Sequence, residues 1–226
     1  MMNQKDLQSV SKRLEEAKKV LILVSANPSL DSVAAGLALK LSLGKKEKSV
    51  VFSSPTLLPS NFKQLIGANA VANSIGSRNL VISFDYIEDS IEKVSYNIEN
   101  NKFNLVIEPK DNKPSLDPSK VSYSYVGADA EIIFIVGASK LEELGKFYKE
   151  EEKTLTDKFT VNIDNKKGNN QFAEANLVDS QAASCAEVVI ELIKSLNLPV
   201  DSDTVSYTHL RAHETSLHLV CRLLLE

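Results

Sequence analysis

Residues 19–54 read KVLILVSANPSLDSVAAGLALKLSLGKKEKSVVFSS, and the order of patterns in this stretch decides the architecture. It begins with a continuous apolar run, Val20 to Val24, of a length suited to a strand buried on both faces. NPSLD follows as a turn. Val33, Ala34, Leu37, Ala38 and Leu41 then recur at helical spacing on one face, and the pattern stops near Gly44. A second apolar run, KSVVFSS, closes the segment. Strand, helix and strand in this order predict a parallel pair joined by a right-handed crossover.

Working outward, Leu7, Val10, Leu14 and Ala17 mark a helix before the first strand. NLVISFDY, from Asn79, reads as a third strand. KVSYNIENNKFNLVIEPK, from Lys93, alternates apolar and polar residues on both sides of ENNK, the pattern of an antiparallel hairpin with an Asn-rich turn. VSYSY, from Val121, is expected to extend that ribbon, which spans about residues 90–126. AEIIFIVGAS, from Ala130, is the most apolar run and predicts a buried parallel strand. The helix KLEELGKFYKEEEK, the strand FTVNID, a loop and a helix carrying Ala186, Val189, Ile190 and Ile193 complete the reading. The predicted fold class is α/β: a mainly parallel sheet flanked by helices on both faces, with an inserted antiparallel β-ribbon, over residues 1–204. Ligands in such sheets bind at the carboxyl ends of the strands, where Ser25, Gly137 and Asp164 fall.

The chain of 226 residues is 43% hydrophobic and 25% charged, with a formal charge of −4 and a pI near 5.5, so no global field directs it to nucleic acid or to an anionic membrane. No apolar run approaches the ~18 residues of a membrane span, and the polar amino terminus lacks a signal-peptide core. A cytoplasmic protein with no membrane partner is expected. Cys185 and Cys221 show no CxxC spacing and read as small buried side chains. All three histidines lie in residues 205–226, VSYTHLRAHETSLHLVCRLLLE, which resemble a translated sequencing adapter and are set aside as a non-native tail. Without them the charge is still −4, no histidine is left, and the natural reading frame is expected to break near Thr204.

Two stretches carry a family resemblance. SANPSLDSVAAGLAL, from Ser25, is similar to the first motif of the DHH phosphoesterases, His-x-x-Pro-Asp-x-Asp before a helix. VNIDNKKGNNQFAEANLVDSQAASCAEVVIELI, from Val161, resembles the signature region of that family, in which Asp-His-His and a following Asn precede the last helix. Asn27, Pro28, Asp31, Asp164, Asn169, Phe172, Asn176, Asp179, Ala182, Ser184 and Glu187 stand at matching positions, and the resemblance covers about residues 7–198. It implies a site in which His and Asp side chains hold two divalent ions, usually manganese, and a second domain that is missing here.

The same alignment of motifs puts Ser25 at the first His, Ser29 at the first Asp, Gly137 at a metal-bridging Asp, and Asn165 and Lys166 at the two signature histidines. Of the implied ligands Asp31 and Asp164 are kept. Serine and asparagine are weak, uncharged donors and glycine has no side chain. A lysine ammonium is repelled by a metal ion: at an effective dielectric near 20, two unit charges ~4 Å apart cost about 4 kcal/mol. The reading is therefore of a degenerate phosphoesterase homologue with no catalytic residues, no metal and no cofactor, acting as a nucleotide- or phosphate-binding module or as a scaffold. Lys166, Lys167 and Asn165 are its phosphate-binding candidates, and a nucleotide or short oligonucleotide its expected ligand.

Local roles compete at each position. Ser29 suits an N-cap and Asp31 the first turn of a helix, while Asp164 and Asn169 suit a loop with side chain to backbone bonds. Assembly with itself, as a homo-oligomer, or with a partner is the scaffold alternative, and the ribbon, residues 97–108, is the feature to inspect for it. A manganese-dependent phosphodiesterase or phosphatase acting on short oligonucleotides or small nucleotides is the enzymatic alternative. It requires further acids to converge on Asp31 and Asp164, and Asp85 is the first candidate. An unrelated Rossmann-like domain is disfavoured by the lack of a glycine-rich phosphate loop.

Overall fold

Continuous apolar runs can be buried on both faces only if they pair in the middle of a sheet, and the computed structural model shows that arrangement. It describes residues 3–200 apart from 61, 63, 64 and 66, so the adapter-like tail, with the three histidines and Cys221, lies outside the described residues. In chain order the elements are α1 (Gln4–Glu16), β1 (Lys19–Val24), α2 (Leu30–Gly44), β2 (Ser49–Ser53), β3 (Ser77–Ser83), β4 (Ile91–Glu99), β5 (Lys102–Pro109), β6 (Ser122–Ala128), β7 (Ile132–Val136), α3 (Lys146–Asp157), β8 (Phe159–Asp164), β9 (Ala175–Val178) and α4 (Cys185–Ser195). Five strands form a parallel sheet in the order β2-β1-β7-β8-β9. Two smaller ladders pair β3 with β6 and β4 with β5.

The period of two along the strands sorts side chains between two cores. Val20, Ile22 and Val24 of β1 and Ile132, Phe134 and Val136 of β7 pack with residues of α1, α2 and α4 on one face. Leu21, Leu23, Ile133 and Ile135 pack on the other with Leu144, and with Phe147 and Leu155 of α3. The sheet is thus covered by helices on both sides, as an all-parallel sheet requires. Helix ends are closed locally: Asn3 caps α1, Ser29 caps α2, and Ser184 caps α4 while the Glu187 carboxylate returns to the Ala183 N–H. Among the described residues no helix is long and apolar enough to cross a membrane.

The chain divides into two compact units, the second comprising Asn79–Val126 and the first containing the parallel sheet. In the second unit the hairpin forms as predicted, and Asn100 and Asn101 both take positive φ (51° and 61°), as a two-residue type I′ turn demands. VSYSY does not extend this ribbon; it falls in β6 and pairs with β3, so the third predicted strand is outside the parallel sheet.

Two further expectations are corrected. KLEELGKFYKEEEK is not one helix: a 3-10 turn at Leu141–Leu144 stops at Gly145, whose φ is 58°, before α3 begins. The Glu143 carbonyl accepts the Ala26 N–H at 2.8 Å, and this tie to the loop after β1 opposes a straight helix. β9, read from sequence as loop, is a four-residue edge strand whose Asn176 N–H bonds to Asp6 of α1.

Candidate functional site

The carboxyl ends of β1, β7 and β8 and the amino ends of α2 and α4 meet at one edge of the sheet. Gly137 directly follows β7, has φ of 74°, and donates its N–H to the Ile163 carbonyl. A Cβ at Gly137 would lie 2.6 Å from Ser32 Cβ in the first turn of α2 and 3.8 Å from Cys185 Sγ of α4. The backbone of β7 therefore runs hard against both helix starts, and only glycine fits there.

Asp164, at the end of β8, is fully buried. One carboxylate oxygen accepts from Ser139 Oγ at 3.1 Å and Asn169 Nδ2 at 2.8 Å; the other accepts from the Asn165 N–H at 2.9 Å and from Cys185 Sγ at 3.7 Å. Burial of such a charge is tolerable only with this density of donors. Asp31 binds the start of α4, accepting from the N–H groups of Cys185 at 2.8 Å and Ala186 at 3.2 Å. Its carboxylate thus lies where the α4 dipole favours negative charge. Cys185 stands between the two acids; burial pushes its thiol well up, and the charges of Asp31 and Asp164 push it further.

The signature loop is organised by Asn169. Its amide donates to Asp164 and to the Ala138 carbonyl, and its oxygen accepts from Asn162 Nδ2 at 2.8 Å and from the Gln171 N–H. Asn162 is itself buried in β8, and its own side-chain oxygen has no hydrogen-bond partner. Asn165 is turned inward, donating to the Ala182 carbonyl and accepting from Cys185 Sγ. Lys166 places its ammonium 3.0 Å from the Gly137 carbonyl oxygen and 3.9 Å from the Glu143 carboxylate, with 52% of the side chain exposed. Lys167 is exposed.

Ser25 is buried at the end of β1, and Ser29 accepts the Ser32 N–H as the α2 cap. Asp31, Gly137, Asp164, Asn165 and Lys166 are joined through Cys185 and Gly137. Asp85 lies in the second unit, where its exposed carboxylate pairs with Lys120 at 3.2 Å. Ser139, Glu143, Asn162 and Cys185 were not singled out as site residues from the sequence. Of these Asn162 alone carried a usable signal, an amide in an otherwise apolar strand.

The fold is similar to that of an exopolyphosphatase-related protein from Bacteroides fragilis. The two superpose with a TM-score of 0.63 at 12% sequence identity, over 97% of this chain and 53% of the other, so the chain spans about half the length of that protein. No protein-family model matches the sequence, and no curated protein matches it.

The residues present do not fit a pair of divalent ions. Asp164 already accepts four donors, Asp31 accepts two amides of α4, and no side chain can be added at Gly137 without displacing α2. The nearby cation is an ammonium bonded to the strand end. Among the described residues no three His, Cys, Asp or Glu side chains are grouped as a metal site needs.

Proposed function

We propose that the chain is a catalytically degenerate homologue of the DHH phosphoesterases that binds a phosphate-bearing ligand, a nucleotide or short oligonucleotide, without a metal pair. The carrying observation is the ammonium of Lys166, bonded to the Gly137 carbonyl where the resemblance expects a metal-bridging carboxylate. An ammonium has three N–H donors. Lys166 gives one to Gly137 and is half exposed, so the others suit a phosphate oxygen. Lys167 adds charge beside it.

Both helix starts are engaged by residues of the chain itself. At α4 the first two N–H groups are held by Asp31 and the third by the Ser184 hydroxyl, while at α2 the Ser29 cap takes the Ser32 and Val33 N–H groups and the Asp31 carboxylate stands in the first turn. Lys166 and Lys167, and not a helix start, are therefore the favoured seat for an anion. Asn165 contributes by fixing the loop that carries the lysines.

Calorimetric titration of the full chain separates this reading from the manganese-dependent alternative. Manganese alone is expected to give no heat of specific binding, while a short oligonucleotide or inorganic phosphate binds without metal and the Lys166→Ala, Lys167→Ala double variant loses at least ~10-fold in affinity. Micromolar manganese uptake, with hydrolysis of the oligonucleotide, would establish the enzyme instead.

A further inference from the structure

The β4–β5 ribbon has one face built from apolar residues alone. Cross-strand register pairs Val94 with Ile107, Tyr96 with Leu105 and Ile98 with Phe103, so these six side chains share one side, while Ser95, Asn97 and Asn104 lie on the other. Tyr96 and Phe103 stack with ring centroids 5.2 Å apart. Among the described residues this face stays largely open: Val94 is 56% exposed, Tyr96 68%, Ile98 71%, Phe103 65% and Leu105 44%, while Ile107 is half-buried. An isolated two-stranded ribbon is marginally stable in water, and one with a continuous apolar side gains most from a cover.

We propose that this face is the surface through which two copies of the chain associate, ribbon against ribbon. Size is the first argument. With ~150–250 Å² for an aromatic side chain and somewhat less for an aliphatic one, the exposed fractions amount to roughly 500–600 Å² per copy. A pair then buries about 1,100 Å² before the rim is counted, close to the ~1,200–2,000 Å² of stable interfaces. Charge is the second. Between Ile91 and Lys110, Glu92, Glu99 and Glu108 balance Lys93, Lys102 and Lys110, and the pairs Lys93–Glu108 and Glu99–Lys102 lie on the opposite, polar side of the ribbon. A ribbon whose charges cancel meets its own copy without net repulsion, whereas a strongly basic or acidic partner gains nothing from it.

Geometry favours the face over the strand edges. A register irregularity between Ile91 and Lys93 interrupts the β4 edge, and Pro109 ends β5 without an N–H to donate. Face-to-face packing buries the aromatic pair at the centre, where binding energy concentrates. The inference is independent of the phosphate reading, since it uses no residue of the cleft.

Sedimentation equilibrium of the full chain in reducing buffer tests it. The expected result is a dimer with a dissociation constant in the micromolar range. Tyr96→Lys with Phe103→Lys is expected to raise that constant at least ~30-fold with unchanged far-UV circular dichroism. Asn97→Lys, on the opposite face, leaves it unchanged. A chain that stays monomeric to ~100 μM, or a dimer indifferent to the double variant, overturns the proposal. So does a monomer whose melting temperature falls in the double variant, because the face is then covered by its own chain.

Discussion

In β7 the residues Ile132 to Val136 are buried on both faces, whereas in the ribbon Tyr96, Ile98 and Phe103 alternate with polar residues and stay exposed. Both regions are β structure rich in aliphatic and aromatic side chains. They differ in what closes them. The central strand is locked by neighbours on two sides and by helices above and below, and its carboxyl end meets α2 and α4 so closely that a methyl group does not fit at Gly137. The ribbon is held by a single ladder and its turn. A change in the first region should therefore be felt by the whole unit, and a change in the second only locally.

The strongest test of that contrast is Gly137→Asp, which restores the acid implied by the resemblance. Its Cβ would overlap Ser32, and its backbone must hold a left-handed conformation. Strain and overpacking together are expected to cost about 3 kcal/mol in global stability, measured by denaturant unfolding, without conferring manganese binding.

A smaller effect is expected at the opposite end of the sheet. The Glu131 carboxylate accepts the N–H groups of Lys18 at 2.5 Å and Lys19 at 3.0 Å. Those bonds, led by that from Lys19, hold its pKa below the usual glutamate range. A carboxyl with a lowered folded pKa stabilises the fold above its unfolded value of ~4.3, and this contribution is lost as pH falls through the lowered value. Glu131→Gln is accordingly expected to lower the melting temperature at pH 7 and to approach the parent at a pH below that lowered value. An equal difference at both pH values would show that packing, and not charge, is lost.

The smallest global effect belongs to the ribbon. Asn101→Ala puts a residue that disfavours positive φ at a turn position of 61°, costing about 1 kcal/mol. Amide hydrogen exchange should accelerate in β4 and β5 and stay unchanged in β1 and β7. Acceleration throughout would mean that the two units unfold together.

The parallel sheet was legible because runs such as residues 20–24 and 132–136 admit one economical burial, and the hairpin because ENNK lies between two alternating segments. The break at Gly145 was not legible, since it depends on the Glu143 carbonyl meeting Ala26 from a distant loop. The strand β9 was missed because four residues at an edge carry no period of their own. At the sheet edge, the resemblance aligned Ser, Gly, Asn and Lys with positions where its family has metal ligands, but the sequence did not show what these residues contact. That Asn169 ties Asp164 to the loop after β7, that Asp31 closes the start of α4, and that Cys185 stands between the acids are contacts across 5 to 154 positions of chain.

Local chemistry thus determined the strands of the parallel sheet except β9, the hairpin, most helices and the cap at Ser29, because hydrophobic period and side-chain type are written residue by residue. Only the tertiary structure decided that Gly137 has no room for a side chain, that an ammonium sits on its carbonyl, and that Tyr96, Ile98 and Phe103 of the ribbon are exposed among the described residues. Those properties depend on which distant backbones the sheet brings within a few ångströms of each other.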